Sequence, residues 1–134
     1  MAFRYRVSIR LHDTDAAGRL YFVSYLRLAH EAFEAFLDSA NIGIGYILRE
    51  SDYLMPVVHV EADYKRSIFL GDPIDIVLTS SHIGRSSFSA SYRFHDEKGE
   101  EVASAKIVHV VVNKESREKV EIPHELSSAL QSAR

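Results

Sequence analysis

Cysteine is absent from the 134 residues, which removes disulfides, thiolate metal sites and cysteine nucleophiles together and suits a reducing compartment. The chain itself therefore brings no redox chemistry. Blocks of one charge are missing too. Sixteen Lys and Arg against nineteen Asp and Glu are scattered along the chain, with no basic run that would mark a nucleic-acid or anionic-membrane surface. No window approaches the roughly 18 to 20 apolar residues of a membrane span. Met1-Ala2-Phe3-Arg4-Tyr5-Arg6 lacks an apolar segment of signal-peptide length, so the expected location is the cytoplasm. Repeats, low-complexity segments and linkers are also lacking, and the expectation is a single domain over residues 1–134, long enough to bury a core without staples. There is no Walker loop and no dinucleotide fingerprint. The seven histidines contain no His-x-x-x-His pair, and His59, His82, His95 and His109 fall on different expected strands, so no metal is expected.

What is present is organised around residues 12–36. A polar turn, His12-Asp13-Thr14-Asp15-Ala16-Ala17-Gly18, leads through Tyr21-Phe22 into a long amphipathic helix. Phe22, Leu26, Ala29, Phe33, Phe36 and Ala40 alternate steps of four and three, which places one apolar stripe on one helix face. Asn41-Ile42-Gly43 reads as its end, and Gly45 to Glu50 as a further helical turn. Before the turn, Phe3 to Leu11 alternates as a strand with one buried face. After Pro56, Val58, Val60, Ala62 and Tyr64 alternate with His59, Glu61, Asp63 and Lys65 as a second half-buried strand. Gly71-Asp72-Pro73 turns the chain into a third, with Ile74, Ile76 and Leu78 on one side. The fourth spans Ser86 to His95, closed by the hairpin Asp96-Glu97-Lys98-Gly99, and the fifth Val102 to Asn113. Pro123 opens a short terminal helix to Leu130. One long helix followed by a run of strands gives an α+β fold, with the helix across one face of a five-stranded antiparallel meander.

Four features carry candidate chemistry. Asp15 sits in a small-residue turn where Gly18 allows close approach, and its carboxylate suits a general base or an acyl nucleophile; an ordinary turn aspartate bonded to its own backbone is the other reading. Asp13 has the same second reading. The free N–H groups at the helix entry, near Phe22, favour negative charge and can stabilise an oxyanion, unless Ser24 is itself the cap and consumes one donor. His30 and Glu31 lie beside the stripe as a catalytic or a structural pair. Gly84-Arg85-Ser86-Ser87 can hold a phosphate or form a plain surface hairpin, and Lys65-Arg66 can add charge to the same ligand or solvate an edge.

The run from His12 to Gly18, then Tyr21-Phe22, then His30-Glu31-Ala32-Phe33-Glu34, resembles the signature of hotdog-fold acyl-CoA thioesterases of the 4-hydroxybenzoyl-CoA thioesterase family, nearest to its 1,4-dihydroxy-2-naphthoyl-CoA branch. The resemblance extends through Tyr64-Lys65-Arg66, Gly71-Asp72 and Gly84-Arg85-Ser86, up to about Pro123. It implies a hotdog fold and hydrolysis of an aromatic acyl-CoA to free acid and CoA, most closely 1,4-dihydroxy-2-naphthoyl-CoA of menaquinone or phylloquinone synthesis. The alternatives are a 4-hydroxybenzoyl- or short-chain aliphatic acyl-CoA thioesterase, or a non-catalytic acyl-CoA-binding protein. By resemblance, Asp15 is the catalytic carboxylate, the Phe22 backbone N–H polarises the thioester carbonyl, and Arg85, Ser86 and Ser87 contact the CoA moiety. CoA is then part of the substrate and no separate cofactor is implied. The resemblance also implies a homodimer or a homotetramer, with sheets joined edge to edge and each site completed by the neighbouring chain. The 4-hydroxybenzoyl branch has an acidic residue where this chain has His30. Glu31, about 100° further round the helix, is carried as an additional catalytic candidate.

Overall fold

Strand alternation and one helical stripe dictate the layers. The computed structural model describes residues 1–134. Strands β1 (Phe3–Ser8), β3 (Val57–Tyr64), β4 (Pro73–Ile83), β5 (Ser87–His95) and β6 (Glu101–Val110) form one antiparallel sheet in the order β1-β4-β5-β6-β3. The last three follow one another by hairpins, as expected, but the sheet is not a simple meander. β1 pairs with β4 (Phe3 opposite Leu78) and β3 crosses to β6 (Tyr64 opposite Ala103), so the first two long strands become the two outer edges. The intervening helix α1 (Phe22–Ser39) carries the chain across the inner face from one edge to the other. The first strand is also shorter than its alternation suggests: it stops at Ser8, and Leu11–Asp13 form a 3-10 turn with Leu11 exposed.

The helix buries Tyr25, Leu28, Ala29, Ala32, Phe33, Phe36 and Leu37. This is a broader stripe than the one drawn through Phe22, Leu26 and Ala40, and it is rotated so that Phe22 is exposed. Packing of the helix on the sheet decides which face is covered, and spacing alone does not report it. Phe33 is the centre of the contact, stacked on Phe88 at 6.1 Å and on His109 at 4.9 Å between ring centroids. Truncating so buried a phenylalanine to alanine costs about 3–5 kcal/mol. The chain leaves the helix through Asn41 at φ 62°, the left-handed conformation in which asparagine often stands in for glycine.

Helix α2 (Ile44–Arg49) follows, and a two-stranded ribbon of β2 (Tyr53–Leu54) with β7 (Val112–Asn113), which the alternation did not reveal, closes the far end. Helix α3 (His124–Ser132) starts one residue later than expected, with Pro123 as its cap residue. It covers the part of β4 that β1 leaves unpaired: the Ser80 N–H donates to the Ala133 carbonyl at 3.0 Å and the Ser80 hydroxyl to that of Leu130. The opposite edge has no such cover. β3, expected to be half-buried, is exposed on both faces along nearly its whole length, Val57, Val58, Val60 and Tyr64 included. α1 lies over β1, β4 and β6 and meets β3 at Tyr64, through Phe22 and Tyr25.

Candidate active site

The two aspartates of the opening turn are two residues apart and differ completely in setting. Asp13 is 2 % exposed. One carboxylate oxygen accepts the Arg10 N–H at 2.8 Å, the other takes the Arg27 guanidinium, and its carbonyl accepts the Tyr21 N–H at 2.9 Å. It therefore clamps the turn to the first helical turns. Asp15 is exposed. Its Oδ1 accepts the Ala17 N–H at 2.9 Å and the Arg19 N–H at 3.2 Å, while Oδ2 has no partner in the chain. The backbone closes the same loop, with Asp15 N–H on the Arg19 carbonyl at 2.8 Å and Gly18 at φ 75°, a conformation glycine adopts freely. The turn-aspartate reading and the chemical reading thus coexist in one side chain: one oxygen fixes the geometry and the other is open.

Helix entry lies beside it. Tyr21 is extended and precedes the helix; its carbonyl accepts the Ser24 N–H at 2.8 Å, so Ser24 sits in the first turn and is not the cap. No side chain caps this end, and the N–H groups of Phe22 and Val23 have no acceptor in the chain. Asp15, Phe22, Tyr25, Tyr64 and Arg19 line one cleft of about 530 Å³. The Tyr64 hydroxyl donates to the Phe22 carbonyl at 3.0 Å, and Tyr25 packs edge-on against Tyr64 at 4.7 Å. Burial, and then the neighbouring Tyr64, pushes the Tyr25 hydroxyl pKa up, so it stays protonated. The pair lines the cleft beside Phe22.

Lys65 and Arg66 reach the rim, yet both are taken: Lys65 pairs with Glu101, and Arg66 pairs with Asp96 and, at 3.1 Å, with Glu100. The hydrogen bond from Lys65 holds the Glu101 carboxyl below its usual range. His30 stands 3.7 Å from Glu34 on its own helix. Glu31 pairs with Arg27 and accepts the Tyr5 hydroxyl at 3.3 Å, in a separate cleft bounded by Arg6, Arg27 and Asp13. Along the helix it lies about 13 Å from Phe22. Arg85, Ser86 and Ser87 occupy the turn between β4 and β5, where the backbone is tied by Gly84 N–H to the Ser87 carbonyl at 2.7 Å and by Ile122 N–H to that of Arg85 at 2.8 Å. The Phe88–His109 end of the sheet is theirs, whereas the cleft sits at the Phe94–Ala103–Tyr64 end. Six strand residues separate the two, about 20 Å. Within one chain the structure brings Asp15 and Phe22 together and leaves Glu31 and the Arg85 turn elsewhere. Tyr64 and Arg19 are cleft residues that sequence reasoning passed over. Their signal was proximity in sequence to Lys65 and to Gly18, but which way a side chain points depends on the crossover of β3.

The model of the thioesterase-like superfamily matches residues 9–130. This chain belongs to that superfamily. It is 36 % identical over 130 residues to the 1,4-dihydroxy-2-naphthoyl-CoA hydrolase of Rippkaea orientalis, covering 96 % of this chain and 94 % of that protein. It is 35 % identical over 136 residues to the enzyme of the same name from Nostoc punctiforme, covering 100 % of this chain and 90 % of that protein. The crystal structure of a 1,4-dihydroxy-2-naphthoyl-CoA thioesterase from Synechocystis superposes with a TM-score of 0.92 at 29 % identity, covering 98 % of this chain and 96 % of that one. The antiparallel sheet around one long helix is thus the hotdog-type arrangement of these thioesterases. No helix is long and apolar enough to cross a membrane.

Proposed function

We propose that this protein hydrolyses an acyl-CoA thioester, 1,4-dihydroxy-2-naphthoyl-CoA being the substrate best supported, in the cytoplasm and without a separate cofactor. The observation that carries the reading is the pairing, in one cleft, of an open carboxylate oxygen on Asp15 with the unpartnered Phe22 amide at a helix N-terminus. The thioester carbonyl accepts the Phe22 N–H, and the helix dipole stabilises the oxyanion as the carbonyl carbon becomes tetrahedral. Asp15 acts in one of two ways. As nucleophile, Oδ2 forms an anhydride with the acyl group and expels CoA as thiolate, and water then cleaves the anhydride. As general base, Oδ2 takes a proton from the water that attacks the carbonyl, and CoA leaves as before. Either route consumes one water and yields free acid and CoA. In this reading Glu31 takes no step in the reaction: its carboxylate is held by Arg27 and Tyr5.

A second copy completes the site. The exposed β3 edge, with Val57, Val58 and Val60 uncovered, supports an isologous edge-to-edge pair. Antiparallel pairing of β3 with its own copy sets the Tyr64 end of one chain against the Val57 end of the other. Arg85, Ser86 and Ser87 of one protomer then approach the cleft of its partner, where they hold the CoA phosphates.

Thiol release from 1,4-dihydroxy-2-naphthoyl-, 4-hydroxybenzoyl- and aliphatic acyl-CoA tests the reading. The naphthoyl thioester is expected to turn over fastest, and Asp15→Asn to lower kcat by about 10²–10⁴-fold with binding retained. Rapid-quench mass spectrometry of a single turnover separates the two routes, since only the nucleophilic one passes through an acyl adduct on Asp15. Full activity of Asp15→Asn overturns the catalytic assignment, and tight binding with no thioester turned over points to a carrier instead.

A further inference from the structure

Three cations reach the Asp15 cleft, and two of them are spent on carboxylates of this chain: Lys65 on Glu101, Arg66 on Asp96 and Glu100. Arg19 is different. No carboxylate lies within ion-pairing distance of its guanidinium, which instead rests 5.8 Å from the centroid of the Phe69 ring. An aromatic face steadies a guanidinium without neutralising it, so the charge stays available to a ligand. Its base is fixed just as firmly. The Arg19 carbonyl accepts the Asp15 N–H at 2.8 Å, the Arg19 N–H donates to Asp15 Oδ1 at 3.2 Å, and the residue bridges to Phe69 across a short antiparallel contact reinforced by Leu20 N–H on the Ile68 carbonyl at 2.7 Å. Arginines without an ion pair are common on surfaces. This one is tied to the carboxylate proposed to do the chemistry, inside the cleft, with its side chain braced from behind.

We propose that Arg19 is a substrate-binding residue that captures an oxyanion of the thioester, either a phosphate of the CoA nucleotide or an acidic group on the acyl chain. The proposal rests on the reading of the cleft as a thioesterase site and adds to it a charge requirement. A planar guanidinium offers paired N–H donors that match carboxylate and phosphate alike. With Lys65 paired to Glu101 and Arg66 to Asp96 and Glu100, Arg19 is the cation of the cleft lining that has no carboxylate partner.

The test measures KM and kcat of wild type, Arg19→Ala and Arg19→Lys on four thioesters: 1,4-dihydroxy-2-naphthoyl and 4-carboxybenzoyl, each carried on CoA and on pantetheine. Arg19→Ala is expected to raise KM roughly tenfold wherever the captured anion is present, with kcat changed far less and with partial rescue by lysine. A rise confined to both CoA thioesters identifies a nucleotide phosphate. A rise confined to the 4-carboxybenzoyl thioesters on either carrier identifies an acyl carboxylate. A KM shift equal across all four, or none in any, overturns the proposal while leaving the thioesterase reading intact. If wild type cleaves no thioester, the thioesterase reading fails on its own. Equilibrium titration of CoA into wild type and Arg19→Ala then still decides whether Arg19 binds the nucleotide: unchanged affinity overturns that capture, and a roughly tenfold loss upholds it.

Discussion

Around Asp13 the polar groups find their partners inside the chain, whereas two residues later, around Asp15, a carboxylate oxygen, two helix amides and the Arg19 guanidinium do not. The same contrast holds at larger scale. The inner face of β4, β5 and β6 is filled by Phe33, Phe88, Phe94, Tyr92 and His109, while β3 at the far edge leaves Val57, Val58 and Val60 in solvent. The closed region is where sequence has been spent on stability. The open region is where, in the proposed reading, a ligand and a second copy of the chain supply what the fold leaves unsatisfied. Substitutions on the closed side should therefore move stability and spare turnover per folded molecule, and those on the open side should do the reverse.

Disrupting the β3 edge should give the largest effect after the loss of Asp15 itself. Val60→Lys places a charge in the middle of a strand edge, so the protein should run as a monomer in size-exclusion chromatography with turnover reduced roughly tenfold or more, each cleft having lost its second half. Helical content by far-UV circular dichroism should not change. A variant that stays oligomeric at full turnover would break the comparison on its open side. Next comes Asp13→Ala, which leaves the Arg10 amide unsatisfied and strips Arg27 of its buried partner. Because Arg27 is itself partly exposed, the cost should be about 2 kcal/mol rather than the larger figure for a fully buried pair, read as a lower Tm. Turnover per folded molecule should survive.

The smallest effect is one of pH. His109 is buried between Phe33 and Phe88 with Nδ1–H on the Met55 carbonyl at 2.9 Å. Burial lowers its pKa below the ordinary 6.5, the Met55 hydrogen bond opposes that shift, and His30 adds to it. The folded state thus binds fewer protons than the unfolded one below that value. Its contribution to stability is fully present above the unfolded pKa and is lost as the pH falls through 6.5 toward the folded value. Tm should fall on moving from pH 7.5 to 5.5 in wild type and fall less in His109→Phe; parallel profiles would show that the buried imidazole is not the group being titrated.

Much of this division was legible in the sequence. Phe88, Ala90, Tyr92 and Phe94 alternate cleanly because β5 is central and buried on its inner face, and Asp15 stood out because a glycine turn runs straight into a helix. What could not be read depends on contacts distant along the chain. Val58, Val60, Ala62 and Tyr64 alternate as a half-buried strand should, yet only Ala62 is partly covered, because no other part of this chain packs over the rest of that edge. The covered face of α1 is shifted from Phe22 toward Tyr25, which packs on Tyr64 and Phe94 of the sheet. The resemblance assigns Arg85 and Asp15 to one ligand, yet in one protomer they belong to opposite ends of the sheet, a separation of about 20 Å along the strands that the register of β5 against β6 and of β6 against β3 reveals. Arg19 went unnoticed because its significance lies in the ion pairs of its neighbours.

In the proposed reading Asp13 holds the turn and Asp15 does the chemistry. Thermal melting and thiol release from 1,4-dihydroxy-2-naphthoyl-CoA, measured side by side on Asp13→Asn and Asp15→Asn, test it directly. Crossed outcomes are expected: Asp13→Asn melts earlier yet turns over substrate when folded, and Asp15→Asn melts like wild type and does not. Two variants that lose stability and turnover together, or an active Asp15→Asn, would contradict it.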